Sequence, residues 1–290
     1  MIDIQNLDKT YKGNVQALRD VNLNIGTNMF GLLGANGAGK TTLMRIVAGL
    51  LRPTRGSVQV FGHDLGTTRG KQAAKAFLGY LPQELGLYPA LTAWEFLDYI
   101  AILKGITDRD MRRHQIEIAL EKVRLSDVAD RRVRTYSGGM KRRVGIAQAL
   151  LGDPKLLIVD EPTAGLDPEE RVRLRNLLSD MAQTRTVILS THIVEDISQS
   201  CNDLAVLDQG RVLFRGSPRD LIAQARGQAW LITVANGERP DNGLLIVSTL
   251  QLQDGMQYRV LGQPDGRYNP VPTEPSLEDG YLWLMHGARV

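Results

Sequence analysis

Residues 34–41, Gly34-Ala35-Asn36-Gly37-Ala38-Gly39-Lys40-Thr41, follow the pattern G-x-x-x-x-G-K-[ST]. Glycines at this spacing let backbone N–H groups turn inward around a chain of phosphates. Lys40 would reach the β- and γ-phosphates as a mobile cation, and the Thr41 hydroxyl would ligate Mg²⁺. A helix starting at Lys40 would aim the positive end of its dipole at the same phosphates. The candidate nucleotide-binding set is Asn36, Gly37, Ala38, Gly39, Lys40, Thr41 and Thr42. The bland alternative is a chance match in a Gly-rich turn. The apolar FGLL before the loop and the helical TTLMRIVAGL after it weigh against that. The loop alone does not identify the nucleoside triphosphate or what is done to it.

A second cluster is Asp160-Glu161, which closes the apolar run Leu156–Val159. Ligands of open α/β sheets bind outside the carboxyl ends of the strands, so this pair sits at the right edge. Asp160 would hold the Mg²⁺ shell. Glu161, one residue on, should face another way, which suits a carboxylate that polarises an attacking water. An Asp-Glu pair after a strand also serves commonly as a cap or turn.

The elements that must position these groups are legible as patterns. Val21, Leu23 and Ile25 alternate with polar residues, as do Val58 and Val60, and both segments read as half-buried strands. Phe30–Leu33, Leu156–Val159, Thr186–Ser190 and Leu204–Leu207 are short apolar runs that read as buried strands. Helical patterns at Lys40–Leu50 and Pro168–Gln183 lie between them, which predicts an α/β core. A mostly helical stretch at about 92–150 interrupts the alternation. Within it, Leu91, Trp94, Leu97, Ile100 and Leu103 recur at helical spacing and are expected to form a core stripe. After residue 228 two or three strands precede a helix from about Ser276 to His286, packed through Leu277, Tyr281, Leu282 and Leu284.

At 290 residues the chain has room for about two domains. The longest uncharged stretch, between Asp20 and Lys40, is rich in Gly and Asn, so a spanning helix is not expected. The opening MIDIQNLDKT has no basic, apolar leader pattern. One cysteine, Cys201, fits a reducing compartment and a small buried residue. No Cys/His cluster suggests zinc, and His63, His114 and His286 lack partners at ligand spacing. Residues 228–290 hold four arginines, no lysine and seven carboxylates, whereas the net charge of the whole chain is +3. That shift marks a boundary near residues 220–228. The clusters Arg131, Arg132, Arg134 and Lys141, Arg142, Arg143 read as solvated faces. No aromatic interleaving marks a nucleic-acid groove, so nucleic acid is not an expected partner.

Further residues carry a family resemblance. Tyr136-Ser137-Gly138-Gly139-Met140, about twenty residues before Asp160, is similar to the signature of the ATP-binding subunits of ABC transporters, usually Leu-Ser-Gly-Gly-Gln. Gln83 in GYLPQE resembles the Q-loop glutamine, and Ala164-Gly165-Leu166-Asp167 the D-loop. His192 in LSTHIVED resembles the switch histidine, and Tyr11 in KTYKG the aromatic that stacks on adenine. The likeness runs over about residues 1–220, in order and at family spacing. SGGMKRR, GANGAGKTTLM and DEPTAGLDP look like the drug- and antibiotic-exporting branch. Tyr136 and Met140 depart from the usual Leu and Gln, while the serine and glycines remain.

The resemblance implies a P-loop NTPase (RecA-like) core with an antiparallel β subdomain and an inserted helical subdomain at about 84–150. A small C-terminal α+β extension would follow at 221–290. It implies that Thr41, Asp160 and Gln83 hold Mg²⁺, that Glu161 is the general base, that His192 clamps the γ-phosphate, and that Asp167 couples two sites. Ser137, Gly138 and Gly139, at the start of the helix KRRVGIAQALL taken as amphipathic, would form an anion site. In the family this signature covers the nucleotide of a second subunit. A head-to-tail dimer around two ATPs is therefore implied, with a homodimer favoured. An integral membrane permease on another chain, at the cytoplasmic face of the plasma membrane, would complete the machine. The alternatives are a soluble ABC-class ATPase with a non-transport partner, an importer subunit, and a small-molecule kinase, which would need neither SGGM nor the switch histidine.

Overall fold

Apolar–polar alternation at the start of the chain builds two long strands, β1 (Ile2–Tyr11) and β2 (Val15–Ile25). The computed structural model describes residues 1–235, 238–240 and 243–287. From Val21 to Ile25 burial alternates strictly, so one face packs and the other meets water. β3 (Met29–Leu33) is buried at every position, and α1 (Lys40–Val47) follows the glycine loop. α1 stops short of the expected Leu50 because Gly49 takes φ +69°, a left-handed helix end. β4 (Arg55–Val60) and β5 (His63–Asp64) complete an antiparallel sheet of order β2-β1-β4-β5.

After α2 (Thr68–Lys75) and β6 (Leu78–Leu81) the chain inserts three helices: α3 (Ala93–Leu103), α4 (Arg109–Lys122) and α5 (Gly138–Leu150). Thr92 and Glu95 close a capping box that starts α3. Its packed face is Ala93, Phe96, Leu97 and Ala101, not the expected stripe. Leu97 is buried, but Leu91, Trp94 and Ile100 are half-buried and Leu103 is 64% exposed. α5 is not amphipathic as expected either. Residues all round it are buried, Arg142 among them.

β7 (Leu156–Asp160), α6 (Pro168–Ala182) and β8 (Thr186–Thr191) return the chain to the core. β7 and β8 are buried throughout, as parallel strands covered on both faces must be. β3, β8, β7 and β6 run parallel side by side, with Leu33 opposite Thr191, Asp160 opposite Ser190 and Leu81 opposite Val159. Their carboxyl ends are therefore level, and Gly34, His192, Glu161 and Pro82 all leave the sheet at one edge.

The chain divides into two compact units: Met1–His192 with Leu207–Val212, and Ile193–Val206 with Leu213–Val290. The second begins with α7 (Val194–Ser200) and carries parts of the neighbouring strands β9 (Asp203–Asp208) and β10 (Arg211–Gly216). α8 (Pro218–Ala223) follows, set by the capping box of Ser217 and Asp220. Then come β11 (Ala229–Val234), β12 (Leu245–Leu252), β13 (Gly255–Leu261) and β14 (Val271–Pro272), in the antiparallel order β12-β13-β11-β14. The sheet has one strand more than expected, the two-residue β14. Ile232, Val234, Tyr258 and Val260 form its buried face. The closing helix α9 (Leu277–Gly287) lies where the sequence places it. Leu277 and Met285 are buried in it, while Tyr281, Leu282 and Leu284 are half-buried. Gly280 permits a close approach, since a Cβ there would stand 2.3 Å from Leu221 O.

One ion pair ties α9 to β13. Asp279 is fully buried and accepts from Arg259 Nε (3.0 Å) and Nη2 (2.5 Å), and from Ser276 N (2.6 Å). Burial pushes its pKa up, but the hydrogen bonds from Arg259 and Ser276 outweigh this and hold the carboxyl below the usual range. Asp279→Ala should cost about 3 kcal/mol by stranding Arg259. Urea unfolding of wild type and variant, followed by tryptophan fluorescence (Trp230 and Trp283 lie in this unit), measures it. Because the folded pKa is depressed, the stabilisation is complete above the ordinary carboxylate value of about 4. The difference between the two proteins should shrink as pH falls through the folded value.

Candidate functional site

The glycine loop is shaped by close backbone approach. A Cβ on Gly34 would stand 2.3 Å from Leu207 O, and one on Gly39 would stand 2.6 Å from Ala17 O. Gly39 also takes φ +107°, which L side chains rarely adopt. Ala38 is buried, and its carbonyl accepts from Gly210 N (2.9 Å). The loop thus rests on β2 and on residues 207–210. Asn36, Gly37, Gly39, Lys40, Thr41 and Thr42 line a cavity of about 300 Å³ together with Gln83, Glu161 and Ala17. Ala17 has no sequence signal. It belongs to the site through its position on β2 beside Gly39. Tyr11 is exposed, with its hydroxyl 3.3 Å from Thr42 Oγ1 and Lys9 Nζ 5.3 Å from the centre of its ring.

Three side chains at this edge converge on one carboxylate. Lys40 is 4% exposed and donates to Gly34 O (2.7 Å) and Ala35 O (3.1 Å), with Glu161 Oε1 at 3.4 Å. His192 Nδ1 lies 3.2 Å from the same oxygen, and Gln83 Nε2 donates to Glu161 Oε2 (3.2 Å). Glu161 itself has φ +47°, an uncommon conformation for a side-chain-bearing residue and one that recurs at functional sites. Lys40, Gln83 and His192 are thus gathered around the Glu161 carboxylate beside the glycine loop.

Asp160 behaves differently. It is fully buried, and neither carboxylate oxygen has a well-oriented hydrogen-bond partner. Burial pushes its pKa up and the Glu161 charge adds to this, while the nearby hydroxyls of Ser190 and Thr41 and the Lys40 charge pull it down. A buried, unsatisfied carboxylate beside a threonine hydroxyl fits Mg²⁺, which commonly takes one or two carboxylates and completes its shell with waters and substrate phosphates. Among the described residues no group of three or more His, Cys, Asp or Glu could hold a metal without such a substrate.

The remaining expected residues are not brought to this cavity. Ser137 caps α5, accepting from Met140 N (3.1 Å), and Gly138 is exposed with open space at its Cα. Gly139 is buried against Glu170, where a Cβ would stand 2.5 Å from Oε2. Asp167 caps α6, accepting from Glu170 N (2.9 Å), and is itself exposed. Tyr136 is 4% exposed and donates its hydroxyl to Val128 O (2.6 Å), a bond that a leucine could not make.

Sequence reasoning misses Arg142. The basic run predicts a solvated face, which Arg131, Arg132 and Arg134 do occupy, yet Arg142 is 7% exposed and donates to main-chain carbonyls of residues 83, 161 and 162. A run of three basic residues gives no sign of such burial, because the partners are backbone atoms.

The chain is similar to known proteins over most of its length. Residues 18–164 match the family model described as ABC transporter. The Nod factor export ATP-binding protein I of Rhizobium sp. (strain N33) is 39% identical, over 98% of this chain and 96% of its own length. The linearmycin resistance ATP-binding protein LnrL of Bacillus subtilis (strain 168) is 35% identical, over 82% of this chain and 76% of its own. Among solved structures, the dimeric post-hydrolysis state of the ATP-binding cassette MJ0796 bound to ADP and Pi superposes with a TM-score of 0.68. It is 28% identical and covers 75% of this chain and 98% of that one.

Lys40→Ala removes the cavity's buried cation. Affinity for a fluorescent nucleoside-triphosphate analogue should fall about 100-fold, a loss of the size expected for a buried charge-assisted contact. Fluorescence titration measures it, and unchanged affinity would remove Lys40 from the phosphate site.

Proposed function

The chain belongs to the ATP-binding proteins of the ABC transporter family, which are ATPases. From that premise we propose that it dimerises around two Mg-ATP and drives export through a membrane permease on a separate chain. The carrying observation is the convergence of Lys40, Gln83 and His192 on Glu161, beside the unsatisfied Asp160.

In this reading Thr41, Asp160 and Gln83 hold Mg²⁺, which neutralises phosphate charge when bound. The loop amides and Lys40 bind the phosphate chain, and Tyr11 stacks on the base. Entry of a γ-phosphate takes Lys40, Gln83 and His192 away from Glu161. The freed carboxylate then takes a proton from the attacking water as general base, and His192 steadies the phosphate.

Ser137, Gly138 and Gly139 cover the nucleotide of a second subunit, which fits their place outside the cavity. Asp167 couples the two sites. One chain carries a full set of motifs, so a homodimer suffices. The relatives named for Nod factor export and for linearmycin resistance support export. Among the described residues no helix is long and apolar enough to cross a membrane. The exposed Tyr88, Tyr99, Ile102 and Leu103 around the inserted helices offer the permease an apolar face at the membrane's cytoplasmic side. The ATP-binding domain spans about 1–220, and 221–290 is a small extension.

Glu161→Gln should bind ATP within about 2-fold of wild type and lose at least about 100-fold in turnover, the usual contribution of a general base. A phosphate-release assay reads the loss, and size-exclusion chromatography with ATP should show dimers accumulating. Wild-type turnover in this variant would remove Glu161 from the mechanism. A mild-detergent pull-down from host membranes, read by mass spectrometry, should return a stoichiometric multispanning protein. Return of ribosomal or chromosomal proteins alone would overturn the export reading.

A further inference from the structure

The guanidinium of Arg142 is buried among carbonyls rather than paired at the surface. Nε donates to Pro162 O (3.0 Å), Nη2 to Glu161 O (2.8 Å) and Nη1 to Gln83 O (2.8 Å), with Pro82 O at 3.4 Å. These carbonyls belong to two loops, one leaving β6 and one leaving β7. Arg142 itself sits in the first turns of α5, whose N-cap is Ser137 and where Lys141 N donates to Ser137 O (2.9 Å). A single planar fork therefore bridges the start of α5, the loop that carries Gln83 and the turn that carries Glu161.

The Glu161 turn needs holding. Its φ of +47° is strained for a residue with a side chain, and such geometry persists only when its surroundings over-determine it. Glu161 N donates to Ser190 O (2.9 Å), which fixes one side of the residue. Arg142 fixes the other, through the carbonyls of residues 161 and 162. The same side chain sets Gln83, whose amide reaches the Glu161 carboxylate at 3.2 Å. Lysine could not reproduce this arrangement, because an ammonium is a compact point donor that cannot span carbonyls of two loops in one plane.

We propose that Arg142 is a positioning residue for ATP hydrolysis: it locks Glu161 and Gln83 in register with each other and with the helix that begins at Ser137. The proposal rests on the reading of Glu161 as general base. It predicts a much larger effect on turnover than on nucleotide capture, since Arg142 donates to no residue of the glycine loop in the hydrogen bonds above and touches the Mg²⁺-holding set through Gln83 alone.

The test uses the full chain with Arg142→Lys and Arg142→Gln. Turnover at saturating ATP should fall at least about 10-fold, as small misplacements of catalytic groups do. Affinity for a non-hydrolysable ATP analogue should stay within about 2-fold, and the melting temperature of Arg142→Lys should stay close to wild type. In the Glu161→Gln background Arg142→Lys should add little, because its effect acts through that carboxylate. Hydrogen exchange should speed up together at the amides of 83–84 and 161–164, with or without turnover. Wild-type turnover, a parallel loss of analogue affinity, full additivity with Glu161→Gln, or unchanged exchange at either loop would each overturn the proposal. A wild-type chain that binds ATP without hydrolysing it would count against the function proposed above, and the exchange measurement would still decide this one.

Discussion

Leu33 stands opposite Thr191, Asp160 opposite Ser190 and Leu81 opposite Val159, and because every one of these pairings is parallel, four strands release their chains at one edge. The glycine loop, the acidic pair, the Gln83 loop and His192 are those four releases. That shared edge brings residues as far apart in sequence as Gln83 and His192 within reach of one carboxylate. A parallel sheet buried on both faces tolerates little slippage, so the apolar runs that build it also set the distances at the site.

The edge concentrates charge in a place with little water, and each charge is handled differently. Lys40 is solvated by carbonyls of its own loop and by Glu161. Arg142 is solvated by carbonyls of two other loops. Asp160 is left unsatisfied. Removing water from a charge is costly unless its partners are well placed. The first two groups are therefore compensated by protein partners, while the third lacks one.

Much of this arrangement is legible in the amino-acid sequence. The loop Gly34–Thr41, the buried runs ending in Asp160 and before His192, and the alternating strands all carry their structure in side-chain type and spacing. The phase of α3 is not legible, because AWEFLDYIAIL is apolar on more than one face and several stripes fit it. β14 is two residues long, too short for any period. Ala17 and Arg142 act at main-chain atoms, which leave no trace in residue pattern. Arg142 is further disguised by its neighbours, since a basic run usually means solvent.

The resting pair of Lys40 and Glu161 has a consequence for the end of the cycle. Both groups are tethered within a cavity of about 300 Å³, so each meets the other at a high effective concentration. In the cycle proposed above, the carboxylate would return to the ammonium without diffusing from bulk once the terminal phosphate departs. Free phosphate re-entering the cavity must displace an anion that is already built in. The protein thereby carries a built-in anion at its own phosphate loop, and any phosphate that enters must compete with that carboxylate for the Lys40 ammonium.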